Sequence, residues 1–138
     1  MSKILRHYTV KKLRMPAEGD LENDIEWICN SLGFVTARDQ DKTAYRILLA
    51  LIKAAEKGRG LTSDELTNYV EPTIGSVIYH LKKLMKAGLV VKINSAYELR
   101  MNSLRKTIEE IEREMINVLE DITYISSQID VRLGLENR

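Results

Sequence analysis

The 138 residues of the sequence give room for one compact domain with an appended element, and too little for two ordinary domains. Hydrophobic residues make up 44% and charged residues 30% of the chain, which is typical of globular proteins and excludes disorder throughout. Neither a membrane-spanning run nor a secretory leader is predicted, so we expect a cytoplasmic protein without a membrane partner.

The formal net charge of +1 hides a segregation of charge along the chain. Residues 1–16 carry five basic side chains and no acid, and residues 59–101 carry six basic and four acidic ones. Residues 17–58 and residues 102–138 each carry five basic and eight acidic side chains. Two basic segments alternate with two acidic ones, which permits a local basic surface for an anionic partner.

Catalytic and metal-binding signals are weak. The single cysteine, Cys29, is predicted to be a small buried hydrophobe on a helix, and with only His7 and His80 the chain cannot build a multi-histidine metal site. Gly58 and Gly60 are not followed by the lysine and hydroxyl pair of a phosphate-binding loop. We therefore expect no catalytic residues, no metal and no cofactor, and no small-molecule ligand is evident.

The N-terminal elements are predicted from charge and apolar spacing. Residues 1–19 form a basic arm or an edge strand, and either a DNA contact or a solvated strand fits them equally. Apolar residues every three or four positions predict helices over residues 20–32 and 41–57. Asp20 can cap the start of the first helix, and Gly58 marks the C-terminal end of the second.

Two further helices and a hairpin follow. Thr62 and Glu65 fit a capping box, which opens a short helix that Glu71 and Pro72 bring to a turn after about residue 70. Thr73 can then cap a helix that runs to about residue 87, with Ile74, Val77, Leu81 and Leu84 on one apolar stripe. Residues 89–93 and 96–100 alternate like strands around an Asn94-Ser95 turn, which gives a two-stranded wing with Tyr97 at its base.

The last segment, residues 102–138, contains an unbroken heptad repeat on one helix that is capped at Ser103 and runs to about Leu133. This helix is about 45 Å long, more than a small domain can cover. We expect it to form a coiled-coil homodimer; the alternative is that it folds back on its own domain. The predicted dimerisation residues are Leu104, Ile108, Ile111, Met115, Val118, Ile122, Ile125 and Ile129.

A helix, a tight turn and a second helix with an outward polar face are the parts of a helix-turn-helix, and a following hairpin makes it winged. The apolar stripe of residues 73–87 leaves hydrogen-bonding and cationic groups on the opposite side, of the kind that reads base edges and phosphates. These outward residues are Thr73, Ser76, Tyr79, His80 and Lys83, flanked by Lys82 and Lys86.

Residues 76–90, with the elements His-Leu-Lys-Lys-Leu and Lys-Ala-Gly-Leu-Val, resemble the recognition helix and first wing strand of ArsR-type winged helix regulators, especially archaeal ones. The resemblance covers residues 41–100. It implies that Ser76, Tyr79, His80 and Lys83 face DNA and that the last helix forms the dimer. The cysteine pairs or acid and histidine clusters of the metal-sensing members are missing here, so metal sensing is not expected.

Together these patterns predict a mainly α winged helix-turn-helix over residues 20–101, followed by a dimerisation helix. The predicted function is sequence-specific binding of double-stranded DNA by a dimeric transcription regulator, and the alternative is a winged-helix scaffold for protein partners. Ser76, Tyr79 and His80 are the predicted base readers. The predicted phosphate contacts are Lys82, Lys83, Lys86, Lys92 and Asn94, and Glu71 is an acid that would oppose a phosphate.

Overall fold

The computed structural model describes residues 5–17, 19–34, 42–70 and 73–138. Its elements are α1 (Leu21–Ser31), α2 (Thr43–Glu56), β1 (Leu61–Thr62), α3 (Ser63–Thr67), α4 (Ile74–Lys86), β2 (Val90–Ile93), β3 (Ala96–Leu99) and α5 (Leu104–Leu133). The mainly α winged helix fold predicted from the sequence is confirmed, with helix bounds that differ by one to three residues. Lys3, Asp41, Glu71 and Pro72, which entered the sequence predictions, lie outside the described residues.

The predicted helix caps form as hydrogen bonds. Thr62 and Glu65 make a complete capping box, in which the Glu65 N–H donates to Thr62 Oγ1 at 3.1 Å and the Thr62 N–H donates to Glu65 Oε1 at 3.0 Å. This exchange lowers the pKa of Glu65, first because its carboxylate accepts the Thr62 N–H. Asp20, Thr73 and Ser103 cap α1, α4 and α5 with one bond each, in which the side-chain oxygen accepts the backbone N–H three residues further on.

The predicted two-stranded wing is confirmed as β2 and β3, and β1, which was not predicted, joins it in a sheet of three strands. The antiparallel order is β1-β3-β2, and Leu61 pairs with Tyr97 on β3. A Cβ at Gly60 would lie 2.7 Å from the Tyr97 carbonyl oxygen, so glycine is needed where the chain enters β1. The two residues of β1 are too short to show a period of two in the sequence.

Two neighbouring groups of buried side chains form the core. The larger joins α2, α3, α4, the sheet and Ile111 of α5, and the smaller joins α1, α2 and the end of β3 around Cys29. Cys29 is fully buried, as its helical spacing predicted. Val77, Leu81 and Leu84 are fully buried, but Ile74 at the first position of α4 is 45% exposed and does not belong to the buried stripe, contrary to the sequence prediction.

The described part of the N-terminal segment, residues 5–17, which we call the arm, contains no strand. The arm lies across the domain. The His7 N–H donates to the Lys86 carbonyl at the end of α4, the Lys11 N–H donates to the Ser31 carbonyl at the end of α1, and Trp27 Nε1 donates to the Arg14 carbonyl. Within the described residues no helix is both long and apolar enough to cross a bilayer.

Candidate nucleic-acid interface

Helix α4 is held by its apolar side and presents its polar side outward. Val77, Leu81 and Leu84 are each fully buried, which fixes the rotation of the helix about its axis. The Ser76 N–H donates to Thr73 Oγ1 at 3.3 Å, which satisfies one of the open donors at the helix start. The opposite side of the helix is therefore fixed toward solvent.

The side chains predicted to meet DNA lie on that side. Tyr79 is 57% exposed, and Thr73, Lys82, Lys83 and Lys86 are exposed. Ser76 and His80 are only partly exposed, because they flank the buried stripe. We call the seven residues Thr73, Ser76, Tyr79, His80, Lys82, Lys83 and Lys86 the outer face of α4.

Contacts within the outer face order its centre. The rings of Tyr79 and His80 meet edge to face with centroids 5.2 Å apart, and Lys83 Nζ lies 5.1 Å from the centroid of the Tyr79 ring. An ammonium above an aromatic face is attracted by the quadrupole of the ring. Tyr79 therefore contacts both a cation and an imidazole at the centre of the outer face.

The wing adds a second group of polar side chains. Lys92 on β2 and Asn94 in the following turn are exposed, and Asn94 has a φ of +58°, in the left-handed region that asparagine tolerates. Lys92 Nζ lies 5.5 Å from the centroid of the Tyr97 ring, which is buried at the base of the wing as predicted. The buried ring thus positions the exposed amine.

The arm closes the C-terminal end of α4. Arg6 donates from a terminal guanidinium nitrogen to the Met85 carbonyl at 3.2 Å, next to the bond from His7 to Lys86. The His7 bond satisfies a carbonyl of the last helical residue, and the Met85 carbonyl also accepts the Gly88 N–H at 3.0 Å. The Lys83 and Lys86 side chains line a groove of about 350 Å³ beside His7 and Thr9, so the cationic end of the outer face continues onto the arm.

A polar cluster that sequence analysis missed ties the arm, the wing and α5 together. Arg100 follows β3 and donates two hydrogen bonds of 2.8 Å, one to each carboxylate oxygen of Glu114 on α5. The Tyr8 hydroxyl also donates to Glu114, and Arg6 Nε lies 3.7 Å from the same carboxylate. We call Arg6, Tyr8, Arg100 and Glu114 the arm cluster.

The electrostatics of the arm cluster follow from these contacts. The Arg100 hydrogen bonds lower the pKa of Glu114 to about 2, with further lowering by Tyr8 and Arg6. Burial and the Glu114 carboxylate raise the pKa of Tyr8, and Glu114 raises that of Arg100. Arg100 and Glu114 therefore stay charged at neutral pH, and their pair is a permanent link in the fold. No local pattern could reveal the cluster, since Tyr8 and Glu114 are 106 residues apart.

The predicted dimerisation residues fall into two sets. Ile111 is buried in the core of the chain's own domain, and Leu104, Ile108 and Met115 pack against the same core partly buried. These four side chains have partners inside the chain, and their role in a dimer contact stays a prediction. Four others on α5 are about half exposed: Val118, which lines a groove beside the arm, and Ile122, Ile125 and Ile129 further along the helix.

The helix-turn-helix, the adjoining wing and the outer face of α4 define a winged helix domain of the DNA-binding class. Residues 41–92 match the family model described as bacterial regulatory protein, arsR family, which confirms the resemblance predicted from residues 76–90. The chain therefore carries an ArsR-type helix-turn-helix, a domain of DNA-binding transcription regulators; the archaeal type stays a prediction. No curated protein and no solved structure matches the chain.

Proposed function

We propose that the chain is a homodimeric transcription regulator that binds double-stranded DNA in a sequence-specific way through the outer face of α4 and the wing. The observation that carries the proposal is the exposed row of cations and aromatic side chains on α4, directly opposite the buried Val77, Leu81 and Leu84. A helix fixed on one side and polar on the other is what entry into a major groove requires.

Within the outer face the roles divide by chemistry. Ser76, Tyr79 and His80 carry hydroxyl and imidazole groups that can hydrogen-bond to base edges, so they are the proposed base readers. Thr73 stands at the helix start beside them. The amines and the wing amide are the proposed contacts to phosphate: Lys82, Lys83, Lys86, Lys92 and Asn94.

The proposed dimer contact uses the distal half of α5, residues 116–133. Its heptad positions Val118, Ile122, Ile125 and Ile129 are exposed, and a sustained apolar heptad stripe on a long helix is the usual signature of helix pairing. In this proposal residues 1–19 are the arm and residues 20–101 the DNA-binding domain. Residues 102–138 carry the dimer helix, whose first three turns pack on that domain.

A gel mobility-shift titration with genomic DNA fragments at two ionic strengths, combined with a measurement of mass in solution, tests the proposal. We expect a dimeric mass, retention of some fragments at concentrations that leave random duplex unbound, and an affinity that falls steeply with salt. Equal binding of all fragments would contradict the proposed sequence specificity. No binding at low salt would instead favour a winged-helix scaffold for protein partners.

A further inference from the structure

The groove at the C-terminal end of α4 joins the outer face of that helix to the arm, and we call it the α4 groove. It holds about 350 Å³ and brings the side chains of Lys83 and Lys86 beside those of His7 and Thr9. The other residues that line it are apolar or glycine, and none of the described residues around it is acidic. Two amines, an imidazole and a hydroxyl without an opposing carboxylate match the chemistry of a phosphate group.

The carbonyl end of α4 borders this groove, and a helix end with open carbonyls repels an anion. Here the last four carbonyls of the helix are all hydrogen-bonded. The turn after the helix provides N–H donors for the carbonyls of residues 83–85, and the His7 N–H of the arm donates to the Lys86 carbonyl at 3.0 Å. The arm therefore covers the carbonyl that the turn leaves open, which weakens the repulsion of an anion at this end of α4.

Main-chain contacts fix the arm beside the groove. Four residues after His7, the Lys11 N–H donates to the Ser31 carbonyl at the end of α1, at 2.7 Å. Thr9, midway between these two anchors, lies directly over Gly33, where an added Cβ would be 2.9 Å from Thr9 Cγ2. The arm is thus held at both ends and packed closely in the middle, so its side chains have defined directions.

The side chains between the anchors alternate. His7 and Thr9 line the α4 groove, whereas Tyr8 between them reaches α5. In an extended chain every second side chain lies on the same side. Lys11 therefore continues the groove side of the arm, and Lys12 lies on the opposite side. Both amines are exposed, and neither forms an ion pair within the described ranges of the chain.

Building on the proposed binding of double-stranded DNA, we propose that the arm is a third DNA-contacting element beside the outer face of α4 and the wing. The phosphate backbone that flanks the major groove lies in the α4 groove against Thr9, Lys83 and Lys86, and Lys11 contacts the phosphates that follow. At no more than about 3.6 Å per residue, the four residues from His7 to Lys11 lengthen the contact by up to about 14 Å. This length corresponds to about four base pairs.

Two neighbouring lysines of the arm give a matched test. Lys11→Gln removes a charge on the groove side and Lys12→Gln removes the same charge on the other side, while the anchor at residue 11 is a main-chain bond that both variants keep. In mobility-shift titrations between about 50 and 200 mM salt, Lys11→Gln should make the plot of log K against log salt less steep by about 0.9. Lys12→Gln should leave that slope unchanged. A wild-type slope for Lys11→Gln, or equal effects of the two variants, would overturn the proposal.

Thr9 tests the groove itself, because its side chain is exposed and a longer one has room there. Thr9→Glu places a carboxylate beside the two lysines of the groove, and Thr9→Gln places a side chain of the same length without the charge. We expect Thr9→Glu to bind DNA about tenfold more weakly than Thr9→Gln at low salt, because the carboxylate repels a phosphate and competes for the amines. Circular dichroism should show equal helix content. Equal affinities of the two folded variants would mean that no phosphate enters the α4 groove.

Ethylation interference places the contact on the DNA. Ethylation of one or two phosphates at the edge of the binding site should weaken wild type and Lys12→Gln but have no effect on Lys11→Gln. An identical pattern for all three proteins would overturn the contact by the arm and leave DNA binding by α4 and the wing intact. Failure of the wild-type protein to bind any duplex at low salt would overturn the proposed function together with this inference.

Discussion

Arg100 at the end of the wing and Glu114 on α5 form a two-pronged ion pair, with both hydrogen bonds 2.8 Å long. Through Tyr8 and Arg6 the same carboxylate also holds the arm, and Arg6 in turn holds the last turn of α4. The wing, the arm and α5 therefore meet at the Glu114 side chain, and Arg6 connects this cluster to the end of α4. A substitution of Glu114 should therefore alter the contacts of the wing, the arm, α4 and α5.

Replacing Glu114 with glutamine should lower the free energy of unfolding by about 1–3 kcal/mol at neutral pH, because Arg100 loses its charged partner in a partly buried site. The folded pKa of Glu114, about 2, lies below its ordinary value of 4.5, so its contribution is present above pH 5 and is lost as the pH falls toward 2. Urea unfolding should show that the difference in free energy of unfolding between wild type and Glu114→Gln becomes smaller as the pH is lowered from 7 to 3. Glu120→Gln changes an exposed carboxylate further along α5, so its free energy of unfolding should equal that of wild type at each pH.

Replacing Gly88 with alanine should destabilise the protein more than replacing Gly58 with alanine. Both glycines have positive φ, +84° and +70°, so alanine costs about 1–2 kcal/mol of backbone strain at either position. At Gly88 the new Cβ would also lie 3.2 Å from Arg100 Nη1 and 3.3 Å from Ile111 Cγ1, whereas at Gly58 it meets nothing within 4 Å. Thermal or urea unfolding should show that Gly88→Ala lowers the free energy of unfolding by about 1 kcal/mol or more beyond the loss caused by Gly58→Ala. Equal losses would mean that the junction of α4, the wing and α5 is looser than described.

Lys83→Ala should weaken binding to specific and random duplexes alike and reduce the salt slope by about 1, because an amine that neutralises phosphate carries no sequence information. Tyr79→Ala should mainly reduce the preference for specific over random DNA. Tyr79→Phe keeps the ring beneath the Lys83 amine and removes only the hydroxyl, so it separates base reading from positioning of the lysine. Lys106→Ala, an exposed lysine on α5, is the matched control for loss of charge. Identical losses on both kinds of duplex for Tyr79→Ala and Lys83→Ala would refute the division of roles.

Ile122→Asp should convert the dimer to a monomer without unfolding the domain, since Ile122 is 54% exposed and lies on the stripe of the distal half of α5. Tyr124→Asp introduces the same charge at a 65% exposed position off that stripe and should stay dimeric. Light scattering gives the mass, and circular dichroism reports the helix content. Retention of the dimer by Ile122→Asp would move the self-association surface away from the distal half of α5.

Features set by neighbouring residues could be predicted from the sequence. The capping box at Thr62 and Glu65, the caps at Thr73 and Ser103, and the end of α5 at Leu133 depend on contacts within one turn of a helix, and each is found where it was predicted. The outward side of α4 followed from the same local periodicity.

Features that join distant parts of the chain could not be predicted in this way. Strand β1 exists only because Leu61 pairs with Tyr97, and the arm cluster exists only because Tyr8 and Arg100 meet Glu114. The exposure of Ile74 has a similar cause. Its spacing matches the stripe of α4, but the part of the chain that the structure describes leaves Ile74 45% exposed, so periodicity alone could not separate it from Val77.

The bond from Tyr8 to Glu114 spans 106 residues, and this sets an order on biosynthesis. The arm leaves the ribosome long before its anchor exists, so the full set of contacts at the end of α4 forms only once the chain has been translated past Glu114. In a nascent chain α4 can already pack through its buried side, whereas the bonds that link the arm and the wing to α5 form only after Glu114 has emerged.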